Sequence, residues 1–415
     1  MKIAILGPIS TASVAPYLHQ APPPDFPPGT SGAPFMGTLI GALLERGHEV
    51  CAITLGGWAA RHSRPTSLPG RRFEFHCAPI RRHAVRPRDG HIGRILDFYA
   101  CERRGIGELL AAARPDFVHA HWTYEFGMAA IASGRPYLIT AHDDPAAVLK
   151  LFKDGSRLVR YLMARSVLKR ATALSAVSEY LESRIASLAG APIEVIPNPL
   201  DRRFLEASQQ RLPPSTQAEH RFVSVINGWG RMKNASSALL AFARVREQRR
   251  DVAYHLFGSD FQPGGPAQRW AEANGAAGGV VFCGPVPHAQ LIGELKASSV
   301  MLHPSRMESC PMGIAEAMAL GLPVVGGCDS GGTAWMIGDG GLTVDINRPE
   351  EIAAAAMQLI SDDAFYRRCS EAATRRVKCF APDAVAGQYE AFYRRVIGNT
   401  AGSFFPKHAA QGRNA

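Results

Sequence analysis

The chain has 415 residues, of which 46% are hydrophobic and 20% are charged, and its formal net charge is +10. This is the composition of a globular protein, and the length predicts two domains of about 200 residues each. No stretch approaches the ~18 consecutive apolar residues of a membrane span, and residues 1–10 lack the separate basic and apolar regions of a signal peptide. The composition therefore excludes a membrane-spanning or disordered protein and predicts a cytoplasmic one.

Short apolar runs alternate with helical stretches in the first half of the chain, which predicts a parallel sheet covered by helices. A helix is predicted over residues 36–46, where apolar residues recur at helical spacing until Gly47. The predicted strands are residues 2–6, 49–54, 117–120, 137–140, 172–176 and 194–196.

The same alternation resumes after a Pro- and Gln-rich stretch, which predicts a second domain of the same type. Its predicted strands are residues 222–226, 253–257, 280–282, 300–303, 323–325 and 342–344. Helices are predicted over residues 235–248, 288–297, 312–320, 350–360, 364–378 and 383–397. We therefore predict a first domain over residues 1–200, a linker over 201–220, a second domain over 221–380, a terminal helical segment over 381–397 and a tail over 398–415.

The loop before the first helix ends at Gly32, three residues ahead of Phe35. A residue without Cβ lets a ligand approach the backbone closely, which suits a diphosphate or an acceptor beside a helix start. Glycine and proline also build ordinary turns, and the loop has no Gly-x-Gly-x-x-Gly fingerprint.

Arginine is concentrated in one segment, with eleven residues between Arg61 and Arg104 against four acidic ones. A surface of this charge is suited to anionic lipid head groups or to an acidic acceptor, and a solvated basic face explains it at least as well. No nucleic-acid-binding motif accompanies the segment, so no nucleic-acid partner is predicted.

Eight cysteines are scattered along the chain without a Cys-x-x-Cys pair or a histidine at ligand spacing. This pattern predicts buried thiols in a reducing compartment. There is also no Asp-x-Asp pair placed as a metal site, so no metal is predicted.

Two histidines, His119 and His121, stand at the end of a predicted strand in the segment DFVHAHWTYEFG. They share one strand face because the side-chain period is two, and the carboxyl edge of a parallel sheet normally faces the ligand. A pair of satisfied core histidines is the alternative. Residues 140–143 end the next strand and are expected either to shape an acceptor site or to cap that strand.

In the second domain, residues 227–234 (NGWGRMKN) follow a strand and open a helix. Lys233 in such a loop can neutralise the negative charge that grows on a leaving diphosphate. Arg231 is a second candidate for that contact, and an exposed surface position of both residues is the alternative.

Glu308 and Glu316 stand eight positions apart in the segment HPSRMESCPMGIAEAMALGLPVV, residues 303–325. Ser309 suits a helix cap and Pro311 suits a first helical turn, so the segment predicts a strand, a loop and a helix. The amides and dipole at the start of that helix favour an anion, and carboxylates accept from hydroxyls. A ligand whose phosphates bind backbone amides and whose sugars bind carboxylates is a nucleotide sugar. In the structural alternative, Glu308 caps the helix and Glu316 is solvated.

This segment resembles the Glu-x7-Glu signature of the retaining glycosyltransferases of family four, including the trailing Glu-Ala-Met-Ala, Gly321-Leu322-Pro323 and Val324-Val325. The resemblance implies an α/β fold of the GT-B type, in which two Rossmann-like domains face each other across a cleft. It also implies that the C-terminal helix over residues 381–397 crosses back to pack on the N-terminal domain.

The resemblance assigns roles to five side chains. Glu308 and His121 would orient the transferred sugar, and Glu316 would bind the ribose. Lys233 and Arg231 would neutralise the leaving diphosphate, although the family usually places more residues between that Arg and Lys.

The resemblance also predicts backbone contacts with the donor. The amides of Met312, Gly313 and Ile314 are expected at the phosphates and the sugar. Gly258 is expected near the base, Gly332 beside the donor, and Gly32 near the diphosphate or the acceptor.

The chain departs from the family pattern at three positions. Pro311 stands where glycine is usual and removes one amide donor. Trp335 stands where many members have a glutamate, so the donor's identity cannot be transferred from them. Ser31 replaces the first glycine of a Gly-Gly pair, which weakens the assignment of Gly32.

The sequence therefore predicts a retaining glycosyltransferase that moves a hexose from a nucleoside diphosphate sugar, with UDP or GDP as the expected nucleotide. The acceptor would be a glycan, a lipid-linked sugar or a small molecule in polysaccharide or glycoconjugate biosynthesis, and no cofactor is predicted. Peripheral contact with the inner membrane face through residues 61–104 is a further expectation. The alternatives are a sugar-nucleotide epimerase or hydrolase on the same fold, and a non-catalytic sugar-nucleotide-binding protein.

Overall fold

The structure, a computed structural model, describes residues 1–57, 65–85, 92–208 and 212–403, with side chains up to residue 399. The chain divides into two compact units. The first comprises residues 1–176, 185–196 and the part from residue 386 onward, and the second comprises residues 177–184 and 197–385. The described part of the expected linker, residues 201–220, thus belongs to the second unit.

The first unit is built on an eight-stranded sheet. Its strands are β1 (Lys2–Leu6), β2 (Glu49–Gly57), β3 (Thr66–Gly70), β4 (Phe73–Ile80), β5 (Phe117–His121), β6 (Tyr137–Ala141), β7 (Leu174–Ala176) and β8 (Ile193–Val195). Their order is β3-β4-β2-β1-β5-β6-β7-β8, and the pairing is parallel except between β3 and β4. The helices are α1 (Thr11–Val14), α2 (Phe35–Glu45), α3 (Ala100–Ala113), α4 (Glu125–Ala132), α5 (Pro145–Phe152) and α6 (Gly155–Arg170). The next helix, α7 (Glu179–Ile185), belongs to the second unit up to residue 184.

The second unit is built on a six-stranded parallel sheet. Its strands are β9 (His220–Val225), β10 (Val252–Phe257), β11 (Val280–Gly284), β12 (Val300–His303), β13 (Val324–Gly327) and β14 (Gly341–Val344). Their order is β11-β10-β9-β12-β13-β14, which is the doubly wound order of a dinucleotide-binding fold. The helices are α8 (Arg202–Glu206), α9 (Ala235–Gln248), α10 (Pro266–Ala273), α11 (His288–Lys296), α12 (Met312–Ala319), α13 (Thr333–Ile337), α14 (Pro349–Ser361) and α15 (Asp363–Arg376). The last helix, α16 (Pro382–Ser403), starts in this unit and continues in the first.

The predicted elements all form, and α9 has the predicted bounds. Apart from the last helix, the other ends differ from prediction by at most three residues. The last helix, α16, continues to Ser403, so residues 398–403 are helical rather than a frayed tail. Residues 404–415 lie outside the described part of the chain.

The C-terminal helix returns to the first unit, as predicted. It starts at Pro382 in the second unit, and from residue 386 it belongs to the first. The Tyr393 hydroxyl and His119 Nδ1 lie 2.7 Å apart, and the Tyr389 ring lies 4.7 Å from the His119 ring. The return therefore rests on a buried polar contact as well as on apolar packing.

Strands β3 and β4 were not predicted. β4 alternates buried Phe73, Phe75 and Cys77 with partly exposed residues, which is the period of a half-buried strand. Arginines precede and follow this short alternation, so charge rather than periodicity dominates the segment.

The position of Arg81 differs from the expectation that the arginines of residues 61–104 form a solvated basic face. It is buried, and its guanidinium donates to Glu102 at 2.6 Å and 3.0 Å and to Asp97 at 2.8 Å and 2.9 Å. Both oxygens of the buried Glu102 are used by Arg81. Arg61, Arg64, Arg86 and Arg88 lie outside the described residues.

None of the described helices combines the length and the apolar character needed to cross a membrane.

Arg81→Met should lower the free energy of unfolding of the first unit by about 3–5 kcal/mol, because it leaves the buried Glu102 carboxylate without its partner. Arg104→Met, which removes an exposed arginine of α3, should change it by less than about 0.5 kcal/mol. Urea unfolding followed by circular dichroism measures both, and equal losses in the two variants would contradict a structural role of the Arg81 network.

Candidate functional site

The candidate site of the second unit lies where the strand order of its sheet reverses, between β9 and β12. Open α/β sheets bind ligands beyond the carboxyl ends of the strands at such a switch point. The loop after β9 leads into α9 and carries Lys233, and the loop after β12 leads into α12 and carries Glu308.

Lys233 and Glu308 form an ion pair, with Lys233 Nζ donating to Glu308 Oε1 at 2.7 Å. Burial alone would raise the pKa of the Glu308 carboxyl, but its contacts with His303 and Lys233 outweigh that effect and lower the pKa to about 2. Glu308 is therefore ionised at neutral pH and acts only as a hydrogen-bond acceptor. The structure thus brings together two residues that the sequence assigned to one site.

Two glycines support the backbone of Glu308. The amide of Gly332 donates to the Glu308 carbonyl at 2.7 Å. Gly331 has a φ of +70°, and a Cβ there would lie 2.3 Å from the same carbonyl oxygen. Since real Cβ atoms do not approach so closely, these glycines let the two backbones pack together and fix the direction of the Glu308 side chain. The amide of Gly332, expected beside the donor, is already used in this support.

His303, the last residue of β12, has no role predicted from the sequence. Its Nε2 lies 3.7 Å from Glu308 Oε1. Its ring nitrogens and the Ser305 hydroxyl are buried, with no hydrogen-bond partner among the described residues. Buried polar groups without partners are rare and mark candidate ligand contacts. The sequence feature that could have indicated a ligand contact is the position of His303 at the carboxyl end of a strand next to the switch point.

Helix α12 presents its N-terminus to the same loop. Pro311 occupies the N-cap, so Ser309 does not cap the helix as expected. Met312 and Gly313 lie in the first turn, where N–H groups have no intrahelical acceptor. The amide of Ile314 donates to the Pro311 carbonyl at 3.0 Å. The expected phosphate contacts of Met312, Gly313 and Ile314 stay predictions, and that of Ile314 requires its amide to give up this bond.

Glu316 lies inside α12 and is buried, with a relative exposure of 8%. Burial raises the pKa of its carboxyl to about 8, and the charge of Asp201 acts in the same direction. Glu316 is thus mostly protonated at neutral pH in the ligand-free protein, since burial disfavours the charged form. The alternative interpretation from the sequence requires a solvated Glu316, and the buried position differs from that.

Arg231 lies apart from the ion pair. It is exposed and lines a cavity of about 470 Å³ together with Trp229, Trp270 and Arg306. Arg306 Nη1 donates to the Arg231 carbonyl at 2.7 Å. The residues lining this cavity do not include Lys233 or Glu308, so the structure does not bring Arg231 into the same cluster.

Gly258 and Gly32 differ in their surroundings. At Gly258, which has a φ of +121°, a Cβ would lie 1.9 Å from the Ile226 carbonyl oxygen, and its amide donates to the Gly284 carbonyl at 2.9 Å. Gly258 thus packs neighbouring strand ends together. At Gly32, with a φ of +104°, a Cβ would meet no described atom within 4 Å. That open space suits the close approach of a ligand.

The first unit has its own switch point between β1 and β5, and β5 ends at His121. The rings of His119 and His121 lie 4.1 Å apart on the same strand face. His119 is satisfied on both nitrogens, by the Tyr393 hydroxyl and by Thr140 Oγ1, each at 2.7 Å. His119 therefore fits the alternative of a core histidine.

One ring nitrogen of His121 is available for a ligand. Its Nδ1 lies 2.9 Å from His142 Nε2, and its buried Nε2 has no hydrogen-bond partner within the described chain. Burial lowers the pKa of His121 to about 3, so the ring is neutral. A neutral imidazole can donate or accept at Nε2, depending on which ring supplies the proton of the His142 contact.

His142 is itself held by aromatic rings at the end of β6. Trp122 stacks on it at 4.1 Å and Phe35 at 5.2 Å. Trp122 has a φ of +71°, which is uncommon for a bulky residue and is found where a site demands it. The expectation that residues 140–143 shape a site on this edge stays a prediction, now centred on His142.

One group of described residues could hold a metal ion, namely Cys51, Glu74 and His76 on β2 and β4. It contains none of the predicted site residues. Lys2 Nζ lies 3.7 Å from Glu74 and already supplies a positive charge there. The expectation of a metal-free reaction stays a prediction.

Two family models match the chain. Residues 209–376 match the model described as "Glycosyl transferases group 1", and residues 34–204 match the one described as "Glycosyltransferase Family 4". Together they span most of the chain, and each covers the predicted site residues of one half, apart from Gly32.

Named relatives are similar over much of their length. The N-acetyl-alpha-D-glucosaminyl L-malate synthase of Bacillus anthracis is 24% identical over 89% of this chain and 95% of its own. The MMP alpha-(1->4)-mannosyltransferase of Mycolicibacterium hassiacum is 26% identical over 71% of this chain and 74% of its own.

Solved structures with the same fold include two that span nearly the whole chain. The sucrose-phosphate synthase of Thermosynechococcus elongatus matches with a TM-score of 0.71 and 17% identity, over 96% of this chain and 100% of its own. The Anabaena protein HepE, in complex with UDP and glucose, matches with a TM-score of 0.64 and 17% identity, over 97% of this chain and 100% of its own. These likenesses confirm the GT-B fold.

Glu316→Gln should stabilise the ligand-free protein, and the gain should grow with pH. The folded-state pKa of about 8 exceeds the ordinary value of 4.5, so wild-type stability falls as pH rises from about 5 to about 8, where the unfolded state has lost the proton that the folded state keeps. A glutamine cannot ionise and escapes this loss. Melting temperatures of both proteins across that pH window test it, and a constant difference would contradict the buried, protonated carboxyl.

Proposed function

We propose that this chain, which belongs to the group 1 glycosyltransferases of family four, transfers a hexose with retention of configuration from a nucleoside diphosphate sugar to an acceptor hydroxyl. Membership of this family establishes that the chain is a glycosyltransferase. Retention, the hexose and the roles below are the proposal, and the observation that carries it is the Lys233–Glu308 ion pair beside the N-terminus of α12.

The diphosphate would bind at this junction. As the bond to the sugar breaks, negative charge grows on the leaving phosphate, and fixed positive charge at that point lowers the barrier. Lys233 Nζ and the first-turn amides of Met312 and Gly313 supply such charge without reorganisation. A bound diphosphate would compete with Glu308 for Lys233, so donor binding would partly release the carboxylate.

Glu308 would then accept hydrogen bonds from the hydroxyls of the sugar. Its pKa of about 2 keeps it ionised across the physiological range. It is thus suited to orienting hydroxyls and unsuited to donating a proton. His121, neutral and with Nε2 unpaired in the described chain, is proposed to orient the sugar as well.

No carboxylate nucleophile is required, in contrast to a retaining glycosidase. The acceptor oxygen would attack the anomeric carbon on the face that the diphosphate leaves. The departing phosphate oxygen would take the acceptor's proton, so the products are the glycoside and the protonated diphosphate. Glu316 would accept from the ribose hydroxyls, through its carbonyl oxygen when protonated and through either oxygen when ionised.

The donor is proposed to carry UDP or GDP. The acceptor is proposed to be a glycan, a lipid-linked sugar or a small molecule, and one relative's name, a teichuronic acid biosynthesis glycosyltransferase, fits polysaccharide synthesis. A cytoplasmic location with peripheral contact to the inner membrane face through residues 61–104 also stays part of the proposal. The burial of Arg81 leaves fewer charges for that contact than the sequence suggests.

Glu308→Gln should lower kcat by about 100-fold or more, because it removes a charge aimed at the reacting sugar. It should not weaken UDP or GDP binding, since Lys233 loses its competing partner. Glu294→Gln is the matched control, because Glu294 is also a partly buried carboxylate in an ion pair, with Arg221 at 3.3 Å. Calorimetry with UDP and GDP, and mass spectrometry of UDP-glucose and GDP-mannose with a cell extract as acceptor, measure the two effects.

Parallel loss of nucleotide binding and turnover in Glu308→Gln would contradict the assigned role. Full-rate consumption of donor without acceptor would favour an epimerase or a hydrolase instead. Tight nucleotide binding with no transfer to any extract would favour a binding protein.

Activity should survive an excess of EDTA, because Lys233 and the start of α12 take the part that a divalent cation plays elsewhere. Turnover with and without EDTA, after the protein has been dialysed against the chelator, is the measurement. Loss of activity that Mg²⁺ or Mn²⁺ restores would overturn the metal-free part of the proposal.

A further inference from the structure

Six of the large hydrophobic residues exposed in the described chain lie in two segments of the first unit. Four belong to α5 and α6, and two belong to the turn before α3. Their relative exposures range from 40% to 54%. They are Leu96, Phe98, Leu151, Phe152, Leu158 and Leu162.

Helix α6 has one exposed face of mixed character. Leu158, Leu162, Arg165 and Lys169 are all exposed and follow the spacing i, i+4, i+7 and i+11, which places them on one stripe about 16 Å long. The N-terminal half of this stripe is apolar and the C-terminal half is cationic. The opposite side of α6 carries the buried Met163 and Val167.

The end of α5 extends the apolar half of this stripe. Phe152 is the last residue of α5, and the guanidinium of Arg157, in the first turn of α6, lies 4.8 Å from its ring centre. Lys150 and Lys153 flank Leu151 and Phe152, and all four are exposed. Cationic side chains thus flank the exposed apolar side chains at the junction of the two helices.

The turn before α3 packs on the other side of α6. Ile95 and Tyr99 lie in one buried cluster with Met163, which is opposite the exposed stripe. The contacts of this turn therefore do not place its exposed Leu96 and Phe98 on the stripe.

The positive charge of α5 and α6 favours an anionic partner. Residues 145–170 contain seven Lys and Arg and a single carboxylate, Asp154, which caps α6 by accepting from the Arg157 amide. A second copy of the chain meeting this face with its own would bring cations against cations. An anionic lipid surface offers both apolar depth and negative head groups.

We propose that this apolar–basic surface, formed by Leu151, Phe152, Leu158 and Leu162 with Lys150, Lys153, Arg165 and Lys169, docks on an anionic bilayer. The apolar half enters the boundary between head groups and acyl chains, while Arg165 and Lys169 contact lipid phosphates. The surface lies outside the arginine-rich residues 61–104, and the docking does not depend on the identity of the sugar donor.

Co-sedimentation of the full chain with vesicles tests the proposal. The wild type should bind vesicles that contain phosphatidylglycerol and not vesicles of phosphatidylcholine alone, and high salt should weaken the binding. The double variant Leu158→Ser with Leu162→Ser should bind at least about tenfold more weakly, because it removes both apolar anchors of α6. Lys150→Glu should weaken binding several-fold through charge alone.

Two matched controls separate docking from general effects. Leu212→Ser removes an exposed leucine of the second unit, and Lys378→Glu reverses an exposed lysine there. Both should bind like the wild type. Circular dichroism and the melting temperature of each variant verify folding, and Phe152→Ser replaces the double variant if that protein does not fold.

Three outcomes would overturn the proposal. The first is no binding of the wild type to anionic vesicles at low salt. The second is binding that the α5 and α6 variants leave unchanged, which would assign the contact to another basic segment. The third is a wild-type oligomer that Leu162→Ser dissociates, which would make this face an interface between copies.

Discussion

The ion pair between Lys233 and Glu308 is the interaction on which the candidate site depends. It joins the loop after β9 to the loop after β12 across the switch point of the sheet. A largely buried carboxylate without a partner is costly, so the pair fixes both loops while no ligand is bound. The backbone contacts of Gly331 and Gly332 with Glu308 point its side chain at Lys233. The site is thus organised before a donor arrives, which is the condition for electrostatic stabilisation of a leaving group.

Two carboxylates of one motif are driven to opposite protonation states by their surroundings. Lys233 and His303 outweigh burial at Glu308 and lower its pKa to about 2, whereas burial in α12 raises the pKa of Glu316 to about 8. Pairs whose environments separate their pKa values are typical of functional sites. In the proposed function, Glu308 is ready as an acceptor at both oxygens, whereas the protonated Glu316 accepts at one oxygen and donates at the other. Loss of the Glu316 proton would exchange that donor for an acceptor, so donor affinity is linked to pH through Glu316.

The sequence predicts the fold well because hydrophobic periodicity and strand-to-helix alternation are local signals. It misses β3 and β4, whose short alternation is surrounded by arginines. It identifies Glu308, Lys233 and His121 from motif and strand-end position, but it gives no role to His303, whose importance comes from a contact across a loop. The amide of Ile314 and the direction of Arg231 depend on the tight loop geometry near Pro311 and Arg306, which spacing alone does not specify. Local pattern thus finds the motif residues, and tertiary contacts decide which groups are available.

A crystal structure of the protein soaked with UDP would test the proposed donor site most directly. The diphosphate should lie within hydrogen-bond distance of Lys233 Nζ and of the amides of Met312 and Gly313. Placement of the nucleotide in the cavity lined by Trp229, Trp270 and Arg231, with the Lys233–Glu308 pair untouched, would contradict it.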